Sequence, residues 1–205
     1  MVTDHLDGAY QAQLIVIEGG TSVGKTTLAK SLTERLSGYG IPCEYVKAVP
    51  SDDNREWLCE VCVGLGRFEE NVLFLDDMVN VANKARDLVK EGVTVVMDKY
   101  VPSKLSYSRS DLPGEEYEKL IERLDSSDLI EPDHMFLLTA ALETRYDRMK
   151  EKEDLSPVDL KTIHDETLEG YLHEEAQRYN PIVVDSGAYA ADELCSYCLR
   201  YILRE

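Results

Sequence analysis

The sequence predicts an α/β fold of three layers, a five-stranded parallel sheet with helices on both faces. Strand-like and helix-like segments alternate five times along the 205 residues, and the strand-like ones are continuous apolar runs. A strand covered on both faces has no polar side, and parallel strands need long, usually helical, crossovers between them. Size agrees: about 100 to 200 residues is the usual length of one domain, so 1–205 reads as a single domain with a polar N-terminal extension over 1–12.

In order, Leu14-Ile15-Val16-Ile17 is the first run, and the helix after it, about Lys25 to Ser37, is stopped by Gly38 and Gly40. Cys43 to Val46 is the second run. A long helix over about Glu70 to Lys90 carries Leu73, Phe74, Val81 and Leu88 at helical spacing and closes at Glu91-Gly92. Then come the run Val93 to Met97, an acidic helix around Glu115 to Leu124, the run Met135 to Leu138 and a helix over about Leu142 to Lys150. A charged stretch, Glu151 to Asp159, precedes a helix over about Leu160 to Tyr179, and Ile182-Val183-Val184 leads to a closing helix.

Composition narrows the partners. Hydrophobic residues at 43% and charged residues at 30% are ordinary globular values. With 22 Lys and Arg against 40 Asp and Glu the formal charge is −18, which argues against coating nucleic acid or an anionic membrane. It leaves room for a small phosphate substrate held by a few cations in one cleft. No apolar stretch approaches a membrane span, the start Met1-Val2-Thr3-Asp4-His5 lacks the parts of a secretion signal, and five cysteines suit a reducing compartment; the expected setting is the cytoplasm. Cys59 with Cys62 and Cys195 with Cys198 have zinc-ligand spacing, but both pairs sit in helix-like text without a Gly-rich turn.

The first run ends in Gly19-Gly20-Thr21-Ser22-Val23-Gly24-Lys25-Thr26, which fits G-x-x-x-x-G-K-[ST] at every position and is followed by Thr27. Glycines let successive N–H groups turn inward onto phosphate oxygens, and the following helix adds its positive end. Lys25 can reach the β- and γ-phosphates, and the Thr26 hydroxyl can ligate Mg²⁺. The pattern predicts binding of a nucleoside triphosphate with Mg²⁺, and in a kinase that triphosphate is ATP, the phosphoryl donor. A GTPase would be expected to carry Asn-Lys-x-Asp, which does not occur here, and little chain remains for motor or transport apparatus. A small-molecule kinase also needs a second pocket and a cover that excludes water. For the second pocket, the run Val93 to Met97 delivers Asp98-Lys99-Tyr100 at its carboxyl end, where Asp98 can hold Mg²⁺ through water and Lys99 can grip a phosphate.

At this corner the sequence resembles the thymidylate kinase family, which has Asp-Arg-Tyr here, then a Ser and a Tyr at the spacing of Ser103 and Tyr107. The resemblance continues in Ile17-Glu18-Gly19-Gly20, Asn71-Val72-Leu73-Phe74, Pro132-Asp133, Glu143 to Arg148, Glu169-Gly170-Tyr171-Leu172 and Ile182-Val183-Val184-Asp185-Ser186. It implies the three-layer P-loop kinase fold with a short lid over about 149–159. It implies that Lys99 approaches the acceptor phosphate, that Tyr100, Ser103, Tyr107, Phe74 and Glu18 line the acceptor pocket, and that Arg148 and Lys152 stand near the transferred group. Residues from Ser186 on would pass the adenine. It also implies a homodimer, formed through the long helix with an apolar face such as Leu73, Leu75 and Val79.

The chain departs from the family on the acceptor side. Thr21 stands where an acidic residue is common, Ala48-Val49-Pro50 where Arg-Glu-Pro is common, with only Lys47 nearby, Met78 where an Arg contacts the base, and Lys99 for the Arg of Asp-Arg-Tyr. Arg offers a flat bidentate fork and Lys a point charge. The implied reaction is phosphoryl transfer from ATP to a nucleoside monophosphate, with thymidylate (giving dTDP) the acceptor the family points to. A monophosphate is already an anion, so alignment and neutralisation by Lys25, Lys99 and lid cations suffice. Two other readings stay open at this point: a kinase of a nucleoside or metabolite hydroxyl, with Asp98 or Glu18 as base, and an ATP-binding module without catalysis.

Overall fold

The computed structural model describes residues 10–48, 60–152 and 157–204, the side chains of 157–159 excepted. The elements are β1 (Leu14–Gly19), α1 (Lys25–Gly38), β2 (Cys43–Lys47), α2 (Arg67–Lys90), β3 (Thr94–Asp98), α3 (Val101–Asp111), α4 (Gly114–Asp125) and β4 (His134–Thr139). They continue with α5 (Leu142–Lys150), α6 (Pro157–Thr162), α7 (Glu166–Ala176), β5 (Ile182–Asp185) and α8 (Ala191–Leu203). The strands form one parallel sheet in the order β2-β3-β1-β4-β5. No described helix is long and apolar enough to cross a membrane.

Successive side chains of a strand point to opposite faces, and the central strands β1, β3 and β4 are apolar on both. Leu14 and Val16 of β1, Val95 and Met97 of β3, and Met135 and Leu137 of β4 pack under α2, α3, α4 and α7. Ile15 and Ile17, Val96, Phe136 and Leu138, with Val184 of β5, pack under α1 and α8. Cys195 and Cys198 of α8 belong to this second core, and burial pushes the Cys198 thiol up to about 12. Cys62 is half-buried, and Cys59 lies outside the described residues.

Sequence and structure part in two places. Periodicity gives no sign of α3, because seven of its eleven residues are buried and a helix enclosed nearly all round has no apolar stripe; Pro102 is tolerated in its first turn. The helix expected over Leu160–Tyr179 is two helices. Asp165 breaks it, its side chain accepting the Leu168 N–H at 2.9 Å as the N-cap of α7.

Parallel pairing brings the strand ends level: Ile17 pairs with Asp98, Gly19 with Leu138, Thr139 with Asp185, and Lys47 with Asp98. The chemistry-bearing residues Gly19, Asp98 and Asp185 therefore lie along one edge, beyond which ligands of such sheets bind. Leu32 of α1 is wholly buried in the second core, whereas Leu160 of α6 is 55% exposed. Leu32→Ala is expected to cost about 2–5 kcal/mol in urea unfolding and Leu160→Ala under about 0.5 kcal/mol.

Candidate active site

The turn after β1 is built by steric demand. Gly19 has φ +144°, and a Cβ there would collide with the carbonyl of Leu138 on β4. Gly24, at φ +96°, turns the chain into α1, whose open N–H groups and positive end favour an anion. Lys25, first residue of that helix, is 9% exposed and donates to the Gly20 carbonyl at 2.5 Å. Burial and then the nearby Lys99 lower its pKa to about 8, against the opposing pull of Asp98 and Glu18; Lys152 lowers it further. A phosphate placed among these cations offsets the repulsion from Lys99 and Lys152 and favours the protonated amine.

Asp98 closes β3 against the loop. Its Oδ2 accepts from Thr26 Oγ1 at 2.5 Å and from the Tyr45 hydroxyl at 3.2 Å. Its Oδ1 is buried without a hydrogen-bond partner among the described residues. A buried carboxylate oxygen without a partner, beside a threonine hydroxyl, is the donor set a hard divalent cation takes. Thr26 and Asp98 thus fit Mg²⁺. Lys99 follows at φ 71°, a left-handed conformation uncommon outside glycine, with its N–H held by the Ile17 carbonyl at 3.0 Å. Ser22, in the loop, is left-handed too, and its Oγ is buried without a hydrogen-bond partner among the described residues.

Two cavities flank the loop. One, of about 290 Å³, lies between Ser22, Val23, Gly24, Thr27, Arg148, Lys152 and Ser186, and reaches the low end of ligand-pocket sizes. Arg148 is fastened there: Nη1 donates to the Val23 carbonyl (3.1 Å) and Ser186 Oγ (2.9 Å), and Nη2 to the Ser186 carbonyl (2.8 Å). Lys152 is exposed beside it, and the remainder of the expected lid at 153–156 lies outside the described residues. The other cavity is lined by Gly19, Gly20, Thr21, Lys25, Lys99, Tyr107 and Arg145, with Asp165 and Glu169 of the α7 region. At about 30 Å³ it holds about two waters, so a nucleotide enters only as side chains move.

Arg145 is the residue that motif reading passes over. It is 4% exposed, with Nε on the Thr21 carbonyl at 2.9 Å and Nη1 on Glu169 Oε2 at 2.6 Å. Its sequence signal is the i, i+3 pair with Arg148 on α5, which puts both on one helix face. Thr21, at the position where family members commonly carry an acid, bonds Thr162 of α6 through its hydroxyl at 2.7 Å. A second unannounced cluster joins α2 and α3: Lys104 Nζ and Ser108 Oγ both donate to Asn71 Oδ1, and Lys104 lies 5.7 Å from the Phe74 ring centroid. Burial lowers Lys104 to about 8.

Several residues expected around the acceptor face elsewhere. Glu18 is wholly buried and points under α3, where Oε1 accepts the N–H groups of Tyr100 (2.7 Å) and Ser103 (3.1 Å) and Oε2 the Ser103 hydroxyl (2.6 Å). It caps the helix from another strand, and burial raises its pKa above the usual carboxylate range. Ser103 is thereby turned inward. Tyr100 is also core, its hydroxyl on the Ile130 carbonyl at 2.7 Å. Met78 is fully buried in the first core, so an apolar side chain has followed the packing face of α2 rather than the cleft. Leu75, expected on a dimer face, is likewise core, while Leu73 and Val79 are half-buried. Lys47 ends β2 half-buried beside Asp98, and Phe74 is half-buried. Glu18→Ala strands two buried N–H groups and is expected to lower stability by roughly 2–5 kcal/mol, read by denaturant unfolding.

The profile of the thymidylate kinase family matches residues 17–189. A thymidylate kinase of Brachyspira hyodysenteriae is 29% identical over 147 residues, 69% of this chain and 70% of that protein. One from Leptospira borgpetersenii is 29% identical over 205 residues, 93% of each. A thymidylate kinase structure from Candida albicans, 21% identical, superposes with a TM-score of 0.72 over 95% of this chain and 92% of that one, which shows the same three-layer fold. The matched span contains the loop, the Asp98-Lys99 corner and Ser186 together, and the chain belongs to the thymidylate kinase family, ATP-dependent kinases of nucleoside monophosphates.

Proposed function

We propose that this kinase transfers the γ-phosphoryl group of ATP to thymidylate, giving ADP and dTDP. The observation that carries the reading is the meeting of Lys25 and Lys99 at one cleft, next to Asp98, whose Oδ1 has no hydrogen-bond partner among the described residues. Thymidylate is the acceptor named for the relatives.

ATP lies along the loop, its phosphates on the N–H groups from Gly20 to Thr26 and on Lys25, its adenosine in the cavity between Arg148, Ser186 and Thr27. Arg148 keeps that wall rigid, and Lys152 brings a further positive charge over it. Mg²⁺ held by Thr26 and Asp98 supplies neutralisation of the phosphate oxygens when bound. The acceptor phosphate sits against Lys99, with Tyr107 beside it and Phe74 toward the base. An oxygen of the acceptor phosphate bonds to the γ-phosphorus as the bond to the β–γ bridging oxygen breaks, and ADP leaves with that oxygen. No proton has to be removed, which agrees with a site whose carboxylates are engaged: Glu18 on three donors, Asp98 Oδ2 on two. The same reading carries a homodimer and a cytoplasmic setting, by family resemblance and by the five cysteines, four of which are described as free thiols.

Incubation with ATP, Mg²⁺ and a panel of nucleosides and monophosphates, following ADP, tests it. Turnover with thymidylate and none with thymidine is expected, and Lys25→Ala should abolish it while the circular dichroism spectrum stays native. Turnover of thymidine alone would establish a hydroxyl kinase, and no ADP with any acceptor a binding module.

Lys25 adds a pH signature. With its pKa near 8 in the free enzyme, kcat/KM for ATP should fall as pH rises above about 8, because the deprotonated amine no longer attracts the phosphates. Bound ATP favours the protonated amine, so kcat should hold to higher pH. A kcat/KM profile flat to about pH 10 would remove Lys25 from ATP capture.

A further inference from the structure

We infer that Arg145 is a phosphate-contacting residue of the acceptor side, the guanidinium this cleft uses where neither Ala48 nor Lys99 supplies one; the inference rests on the kinase reading above. Burial comes first. Lys25, Lys104 and Arg145 are the buried cations among the described residues, and two of the three line the loop. Taking a charge out of water is costly unless partners return the energy. Among the described residues Arg145 has one carboxylate partner, Glu169, whose side chain is 29% exposed, and its other bond is to the uncharged Thr21 carbonyl.

Placement comes second. Nη2 stands 3.2 Å from where a Cβ on Gly20 would lie, directly against the half of the loop that faces the cleft of Lys25, Lys99 and Tyr107. Three residues on, Arg148 bonds Val23 in the other half of the loop and lines the cavity of Ser186. One turn of α5 thus straddles the loop, Arg148 on the donor side and Arg145 on the side of Lys99.

Chemistry comes third. A guanidinium has five N–H donors in a planar fork, and the two bonds described use two of them, leaving donors for a second anion while Glu169 fixes the plane. Just past β2, Ala48 has no side-chain donor, its N–H being held by the Asp98 carbonyl, and Lys99 brings a single ammonium. Asp165 also borders the cleft, but its carboxylate is committed to the Leu168 N–H.

The alternative role is structural, a stitch between α5, α7 and the loop. Arg145→Ala and Arg145→Lys are compared with wild type in steady-state kinetics varying thymidylate and ATP separately, with and without about 20 mM guanidinium chloride. Thymidylate and inorganic phosphate binding is titrated by calorimetry with ADP and Mg²⁺ filling the donor side. For Arg145→Ala we expect kcat/KM for thymidylate to fall about 10²–10³-fold, KM for ATP to stay within about threefold, and guanidinium to restore part of the loss without affecting wild type. Arg145→Lys should recover less than the guanidinium-rescued enzyme. Equal losses on both substrates without rescue, or unchanged acceptor binding and kcat, would overturn the assignment. If wild type ignores thymidylate yet binds phosphate through Arg145, the acceptor identity falls and the residue's role stands.

Discussion

Everything at this site follows from gathering like charges at the carboxyl edge of one parallel sheet. Lys25 is buried at the start of α1, Lys99 leaves β3 in a left-handed conformation, and Arg145 arrives from α5, all around a loop that offers N–H groups. In the free protein this arrangement is unfavourable: burial first, and then the neighbouring Lys99, lower the pKa of Lys25. Asp98 relieves part of it, and the Gly20 carbonyl holds the Lys25 ammonium where a phosphate oxygen belongs. A polyphosphate relieves the remainder, so binding is driven by a deficit built into the fold. The charge of −18 sharpens the contrast, since a cleft with converging cations stands out from a surface that repels anions.

The strain is held in place by a framework of hydrogen bonds behind the loop. Glu18 immobilises the start of α3, so the chain leaving Asp98-Lys99 has one path. Because β1 pairs with β3, the residues before the loop and the residues after Asp98 are fixed to each other within one register. Ser186 ties β5 to the loop through the Val23 carbonyl at 2.7 Å and to β4 through the Thr139 carbonyl at 3.0 Å, and Arg148 rests on that knot. Loop geometry is thus set from three strands. Preorganised donors of this kind lower the barrier because they need not reorient as charge moves.

The apolar runs and the loop motif were legible because each depends on local pattern. Five runs became five strands, shifted at their ends by a residue or two, and Gly19 to Thr26 adopts the turn its glycines require. Less legible were segments whose surroundings replace periodicity, such as α3, enclosed by its neighbours, and the break at Asp165, where one side-chain cap outweighs a continuous helical pattern. Site residues divide the same way. Lys25, Thr26, Asp98 and Lys99 meet as their spacing implies, whereas Glu18, Tyr100 and Met78 turn into the interior, since a side chain on an element covered on both sides has to choose a face.

By itself the sequence determined the parallel α/β architecture, the phosphate loop and the family, because glycine conformation, apolar runs and motif spacing are properties of neighbouring residues. Only the tertiary structure decided which charges share the cleft. Arg145 reaches Thr21 across 124 positions and Glu18 reaches Ser103 across 85. Contacts at that separation depend on sheet order and helix crossing, which place α5 and α7 against the loop and α3 against β1.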